Sequence, residues 1–376
     1  HAALSLIVQC AGFPAVVFPA RCCGQLAALG AFDETVARAA SAITGIGALP
    51  AHAALPVRKG GIGLRKAWDH APGAHAASIG DAERHFSFLV RGPTTLTDTC
   101  VAFSPCVGSG RTCASQRVSS AIVDDDLLRE TVSSASAELQ AVLKSASAPT
   151  AGAWLFPPRV AVDHCNPWLG PAEFSTAVRL RLGLPTSTDG AMCRRCNSSV
   201  MDGHGRHALA CMAGHQRMSL HHDVRDLVFR LASGALTAPT REARCFPVAD
   251  PSARLDVVLT RAFGPIPVAV DVAVVTPFRD AHLQHARASP GGAATAYEAT
   301  KQARYGAAAR AEGVSFVPVV FDVIGARGQS ACDFITRLAT LWGMRWDLDD
   351  ATAKNIVNAW MSSTIARGVA RLVLNA

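Results

Sequence analysis

Lysine is nearly missing from this chain: 376 residues hold five, and arginine supplies the other 31 of the 36 basic side chains. The formal charge of +7 is therefore carried by guanidinium, which favours phosphate partners without naming one. Tyrosine is scarcer still, with two residues. Charged residues make up only 17% against 49% hydrophobic, which excludes a mainly disordered chain and supplies core for two or three domains. After the opening stretch, no apolar run reaches the length of a membrane span. The opening itself, "ALSLIVQCAGFPAVVF", lacks a basic leader and contains Gln9 and Pro14, so it reads as a core helix rather than a signal peptide. With His1 rather than Met in first place, a longer parent protein is expected. The twelve cysteines are unevenly spaced and show no disulfide framework, which favours a reducing compartment.

What is present changes character along the chain. Residues 1–150 are alanine-rich and helical in pattern, with one helix expected at 32–46. The segment "LPVRKGGIGLRKA" at 55–67 fits no phosphate-loop spacing and reads as a glycine turn. Serine, threonine and glycine crowd 92–120, as in a loop or linker. The run "VDDDLLRETVSSASAELQAVLK" then reads as one helix, with Asp124, Asp125 and Asp126 at the N-terminus where acids favour the helix dipole.

From residue 193 the text becomes chemical. "CRRCNSSVMDGHGRHALAC" places Cys193 and Cys196 in a Cys-x2-Cys knuckle, followed by His204, His207 and Cys211. Three thiolates and one imidazole make a tetrahedral set suited to zinc. His207 is preferred to His204, because it stands four residues before Cys211 on one helical turn. The alternative is a scatter of reduced cysteines and surface histidines. Arg194, Arg195 and Arg206 flank the knuckle and are candidate phosphate contacts.

Downstream the pattern reads helix (217–232), strands at 240–246, 254–260 and 267–275, helix (293–312) and strand (315–323). Asp256 and Asp271 stand inside the second and third strands, where a charge is costly unless it is paired or holds a metal. Two carboxylates on adjacent strands suit magnesium, whereas the structural alternative is a pair of salt bridges with Arg254 and Arg279. Lys301, with Tyr297 and Tyr305 four residues to either side, forms a ridge on the following helix. Its ammonium can orient a water or offset phosphate charge, or it can simply pair with Glu298 on a solvated face.

The element order, with Asp, Asp and then Lys, resembles the PD-(D/E)XK restriction-endonuclease core, an α/β fold. The knuckle before it, "HHDVRD", "KQARY", and the earlier "LPVRKGGIGLRKA" and "FSTAVRLRLGLP" resemble the region following the reverse transcriptase in non-LTR retrotransposon proteins. The resemblance implies a helical post-polymerase region (1–150), a linker with CCHC zinc knuckle (151–215), an endonuclease domain (216–345) and a helical tail (346–376). It implies catalytic Asp256, Asp271 and Lys301 with Mg2+, structural Zn2+, and supporting places for His222, Asp223, Glu242 and Tyr305. Ala273 occupies the motif's usual lysine position, but in the retrotransposon branch the lysine comes from the next helix, where Lys301 lies. His221 stands where that family usually has arginine. The implied function is nicking of double-stranded target DNA in the nucleus to prime reverse transcription, with element RNA a second possible partner and no membrane. The rival functions are a decayed element that only binds nucleic acid through its knuckle, and a host repair or junction-resolving nuclease sharing the core.

Overall fold

The computed structural model describes residues 1–86, 115–158, 166–186, 190–244 and 254–376. The expected linker at 92–120 lies, up to residue 114, outside the described residues, as do residues 245 and 246 of the first expected strand. The chain divides into two compact units, one of residues 1–57 and 61–135, the other of residues 58–60 and 136–376. Residues 136–150, expected with the N-terminal region, therefore belong to the second unit.

The first unit is helical: α1 (Ala2–Leu6), a π turn (Ile7–Ala11), α2 (Phe13–Cys23), α3 (Ala27–Thr44), α4 (Ala67–Phe86) and α5 (Gln116–Ser134). Its small core is mostly alanine: Ala20, Ala67, Ala71 and Ala74 around Leu29. Side chains this short let helix backbones approach closely. At Gly73 the approach is tightest, since a Cβ there would stand 1.5 Å from the hydroxyl of Ser119.

Two expectations fail in this unit. The opening stretch is no core helix: only 17% of its apolar window is buried and Phe18 is 76% exposed. Its apolar residues run round every side, so no single stripe can bury them all. By length and composition Ala2–Cys23 meets the measure of a membrane span, as core helices and signal sequences also do. Nor do Asp124 to Asp126 cap a helix. Ser115 does, accepting from the Val118 N–H, so the acids fall in the middle of α5. The "SSAS" run then ends α5, and Ser136 caps a separate helix, α6 (Ala137–Ala146).

Asp124 instead lies buried, bound to Arg65 Nη2 at 2.5 Å and 3.7 Å from His70 Nε2. Burial pushes His70 down to about 4, with Arg65 adding to the push and Asp124 opposing it. Because the folded-state value lies below the ordinary 6.5, the fold keeps its full stability above pH 6.5, where His70 is neutral folded or unfolded, and loses it as pH falls toward 4 and the unfolded chain takes up the proton. Unfolding free energies measured from pH 7.5 to 4 should drop more steeply in the wild type than in His70→Gln, by about 3 kcal/mol over that window. Parallel curves would show that His70 is not the group responsible.

The second unit is mixed α/β. α7 (Pro171–Arg181) and a short α8 (Arg206–Ala210) precede α9 (Gln216–Gly234). Then come β1 (Pro239–Ala243), β2 (Leu255–Leu259), β3 (Val268–Val275), α10 (Asp280–Ala288), α11 (Gly292–Ala311) and β4 (Ser315–Asp322), followed by α12 (Gln329–Arg345) and α13 (Asp350–Leu374). The four strands lie in sequence order, with β1–β2 and β2–β3 antiparallel and β3–β4 parallel. A hairpin needs only the short 260–267 turn, whereas the parallel β3–β4 step needs the helical crossover that α10 and α11 supply. The four expected strands and both flanking helices are present; α10 is an extra element.

Strand alternation sorts the faces. Val268, Val270 and Val272 join Leu220, Val224 and Leu227 of α9, Phe334 of α12 and Trp360 of α13 in the main core. Ala269, Ala273 and Val275 turn to the other side, against Ala309, Ala294 and Tyr297 of α11. Residue 271 shares that side. The 346–376 segment is not peripheral: α13 is buried along its length and contacts α7, α9 and α12.

Candidate functional site

The knuckle is set into the main core. Cys193, Met201, Ala208, Leu209 and Cys211 are all buried members of it. Asp202 organises the loop by accepting from the backbone N–H groups of His204, Arg206 and His207, which starts α8 and turns His207 toward the cysteines. The ligand atoms of Cys193, Cys196, His207 and Cys211 all lie within 4.8 Å of one another, and Cys196 Sγ is 3.4 Å from His207 Nε2. Tetrahedral zinc sets its sulfurs about 3.8 Å apart, so this Cys3His cluster can hold such an ion with small adjustment. His204 is outside the cluster.

The thiols are unequal. Hydrogen bonds from the hydroxyl and backbone N–H of Ser198 draw Cys196 down to about 5, toward the ligating thiolate, while burial pushes Cys211 up. The flanking arginines differ too. Arg194 is exposed, Arg195 is half-buried and donates to the Ala208 carbonyl, and Arg206 pairs with Glu138 at 3.6 Å beside the Phe278 ring.

On the sheet, the antiparallel β2–β3 ladder ends at Val257↔Val270, and Asp256 and Asp271 are the next residues on their two strands. Lys301 reaches back from α11 and places Nζ 2.5 Å from Asp271 Oδ2. Asp256 Oδ2 accepts from the Val272 N–H at 2.6 Å and meets His221 Nε2 at 3.2 Å. Burial raises Asp271 above the ordinary carboxylate range and Asp256 adds to this, while Lys301 opposes it. His221 is raised, chiefly by its hydrogen bond to Asp256. The partners of the two aspartates are thus His221 and Lys301, not Arg254 and Arg279, and Glu298 is not the partner of Lys301: it caps α12 through the N–H groups of Ser330 and Ala331.

Beside this group opens a cleft of about 370 Å³, lined among others by Asp271, Lys301, His221, Tyr297, Arg217 and Arg279. The supporting residues expected from sequence divide. His222 is half-buried with its ring 5.8 Å from that of His221, and Asp223 is exposed. Glu242 is drawn away to Arg225 Nη1 at 2.5 Å, and Tyr305 packs on Phe316. The side chains that sequence reasoning missed are His221 as the partner of Asp256, and Arg217. For His221 the signal was present, because the doubled histidine opens the helix that leads into the strands.

No protein-family model matches the chain, and neither does any curated protein. Its chemistry must therefore be read from its side chains.

The purified chain is expected to carry one zinc ion per polypeptide by elemental analysis. His207→Ala should lose it and His204→Ala should keep it; the reverse pattern would reassign the ligand. Because the ligands belong to the main core, chelation should lower the thermal midpoint of the whole second unit.

Proposed function

We propose that the second unit is a PD-(D/E)XK restriction-like endonuclease that nicks double-stranded DNA with magnesium, within a non-LTR retrotransposon protein whose nick primes reverse transcription. One observation carries the reading: Asp256 and Asp271 stand just past the last β2–β3 pair on neighbouring strands, and the lysine of the next helix reaches Asp271. The order of α9, three strands, α11 and a parallel fourth strand supports it.

Two carboxylates on neighbouring strands, with an open cleft beside one of them, are hard oxygen donors that suit magnesium. When bound, that ion supplies charge neutralisation and an activated water for attack on phosphorus. The chain's own groups do the rest. The Val272 N–H and His221 fix the orientation of Asp256, and Lys301 brings a compact ammonium to the place where phosphate charge develops.

A second reading is favoured by one detail. Lys301 already gives Asp271 an ion-pair partner and His221 gives Asp256 a hydrogen-bond partner, so the same four groups also describe compensated carboxylates in a decayed element that only binds nucleic acid.

Nicking assays separate the two. Asp271→Asn should slow nicking of duplex DNA about a thousandfold, a loss of the size seen when one transition-state contact is removed, while duplex affinity stays level or tightens. Lys301→Arg should not rescue the rate lost in Lys301→Ala, since a planar fork does not place charge as an ammonium does. Undiminished nicking in Asp271→Ala, with stability lowered by about 3 kcal/mol as for a broken buried ion pair, would make these aspartates structural and end the proposal.

A further inference from the structure

The cleft beside Asp271 holds more positive charge than its own carboxylates neutralise. Lys301 is committed to Asp271 at 2.5 Å. Arg217 and Arg279 line the same cleft, and among the described residues neither forms an ion pair. Arg217 is half-buried and braced, its Nη1 donating to the Leu209 carbonyl at 2.8 Å. Burial lowers its affinity for its proton, and the nearby positive charges of Arg279 and Arg195 lower it further. Arg279 lines the cleft from the N-cap of α10. Its carbonyl accepts from His282 and Leu283, which fixes the backbone, while the side chain is exposed.

Like charges gathered in a half-buried cleft cost free energy unless an anion joins them. Guanidinium forks match phosphate oxygens two at a time. We infer that Arg217 and Arg279 form a phosphate clamp at the mouth of the cleft, seating a backbone phosphate of the nucleic acid beside the Asp271–Lys301 pair. This rests on the endonuclease reading and deepens it by naming what holds the strand in place.

The clamp also moves the main phosphate contacts away from the knuckle arginines. Arg195 is tied to the Ala208 carbonyl and Arg206 to Glu138, whereas the Arg217 brace comes from α8, between the ligands His207 and Cys211. The metal cluster thereby becomes the mount for one jaw of the clamp rather than a separate reading head.

The test is duplex affinity across a salt series, using the zinc-loaded full chain with Asp271→Asn as background to prevent cleavage. Arg217→Gln and Arg279→Gln should each weaken binding and flatten the slope of log affinity against log salt by about one unit, with Arg194→Gln as a comparison that changes it less. Arg217→Lys should keep the slope while losing affinity. Slopes unchanged in both glutamine variants, with normal binding by the background protein, would overturn the clamp and leave the endonuclease reading standing. No duplex binding by the background protein would overturn both. Should Arg217→Gln lose zinc or unfold, Arg279→Gln decides alone, because its side chain is exposed.

Discussion

Everything near the cleft depends on one register. Antiparallel pairing of β2 with β3 brings Val257 against Val270 and so leaves two carboxylates, Asp256 and Asp271, near each other at the end of the ladder, where each disfavours the other's charge. The surroundings answer from two directions: Lys301 brings an ammonium from the crossover helix, and His221 brings a ring nitrogen from the helix before the sheet. A slip of one residue would turn Asp271 into the main core and Val270 or Val272 toward α11. The valines that fill the core therefore also fix where the charges stand. Packing and chemistry are specified by the same alternation.

The metal cluster is tied into the same core. Its cysteines share a packed cluster with the strand valines, and its short helix offers backbone carbonyls to Arg195 and Arg217. A knuckle drawn as a bead on a linker would leave the cleft untouched by metal loss. Here Leu209, between His207 and Cys211, lines the cleft and braces Arg217, so the Cys3His cluster and the cleft share a wall.

Much of this was legible in the sequence wherever spacing alone fixes geometry. Cys-x2-Cys with His207 and Cys211 at i and i+4 has few ways to fold other than convergence. The strand-like runs around Asp256 and Asp271 and the helix–strand order were legible too, while the direction of each strand pairing, parallel for β3 and β4, was not. Legibility ended where long-range partners decide. Asp124 looked like a cap because acids are common there, and only Arg65 and His70, distant in sequence, make it a buried charge. Glu242 went to Arg225, a choice set by tertiary placement. The opening stretch looked like core because it is apolar, but composition does not say whether a neighbour exists to cover it.

The alanine core of the first unit has a consequence for how that unit can change. Its alanine cluster is closed by Leu29, Phe13, Val16 and Phe32, and at Gly73 a bare backbone meets Ser119. At Gly73 the usual core rule is inverted: there is no side chain to cut down, and even one added methyl must displace Ser119, so this helix contact tolerates no growth unless its neighbour gives way.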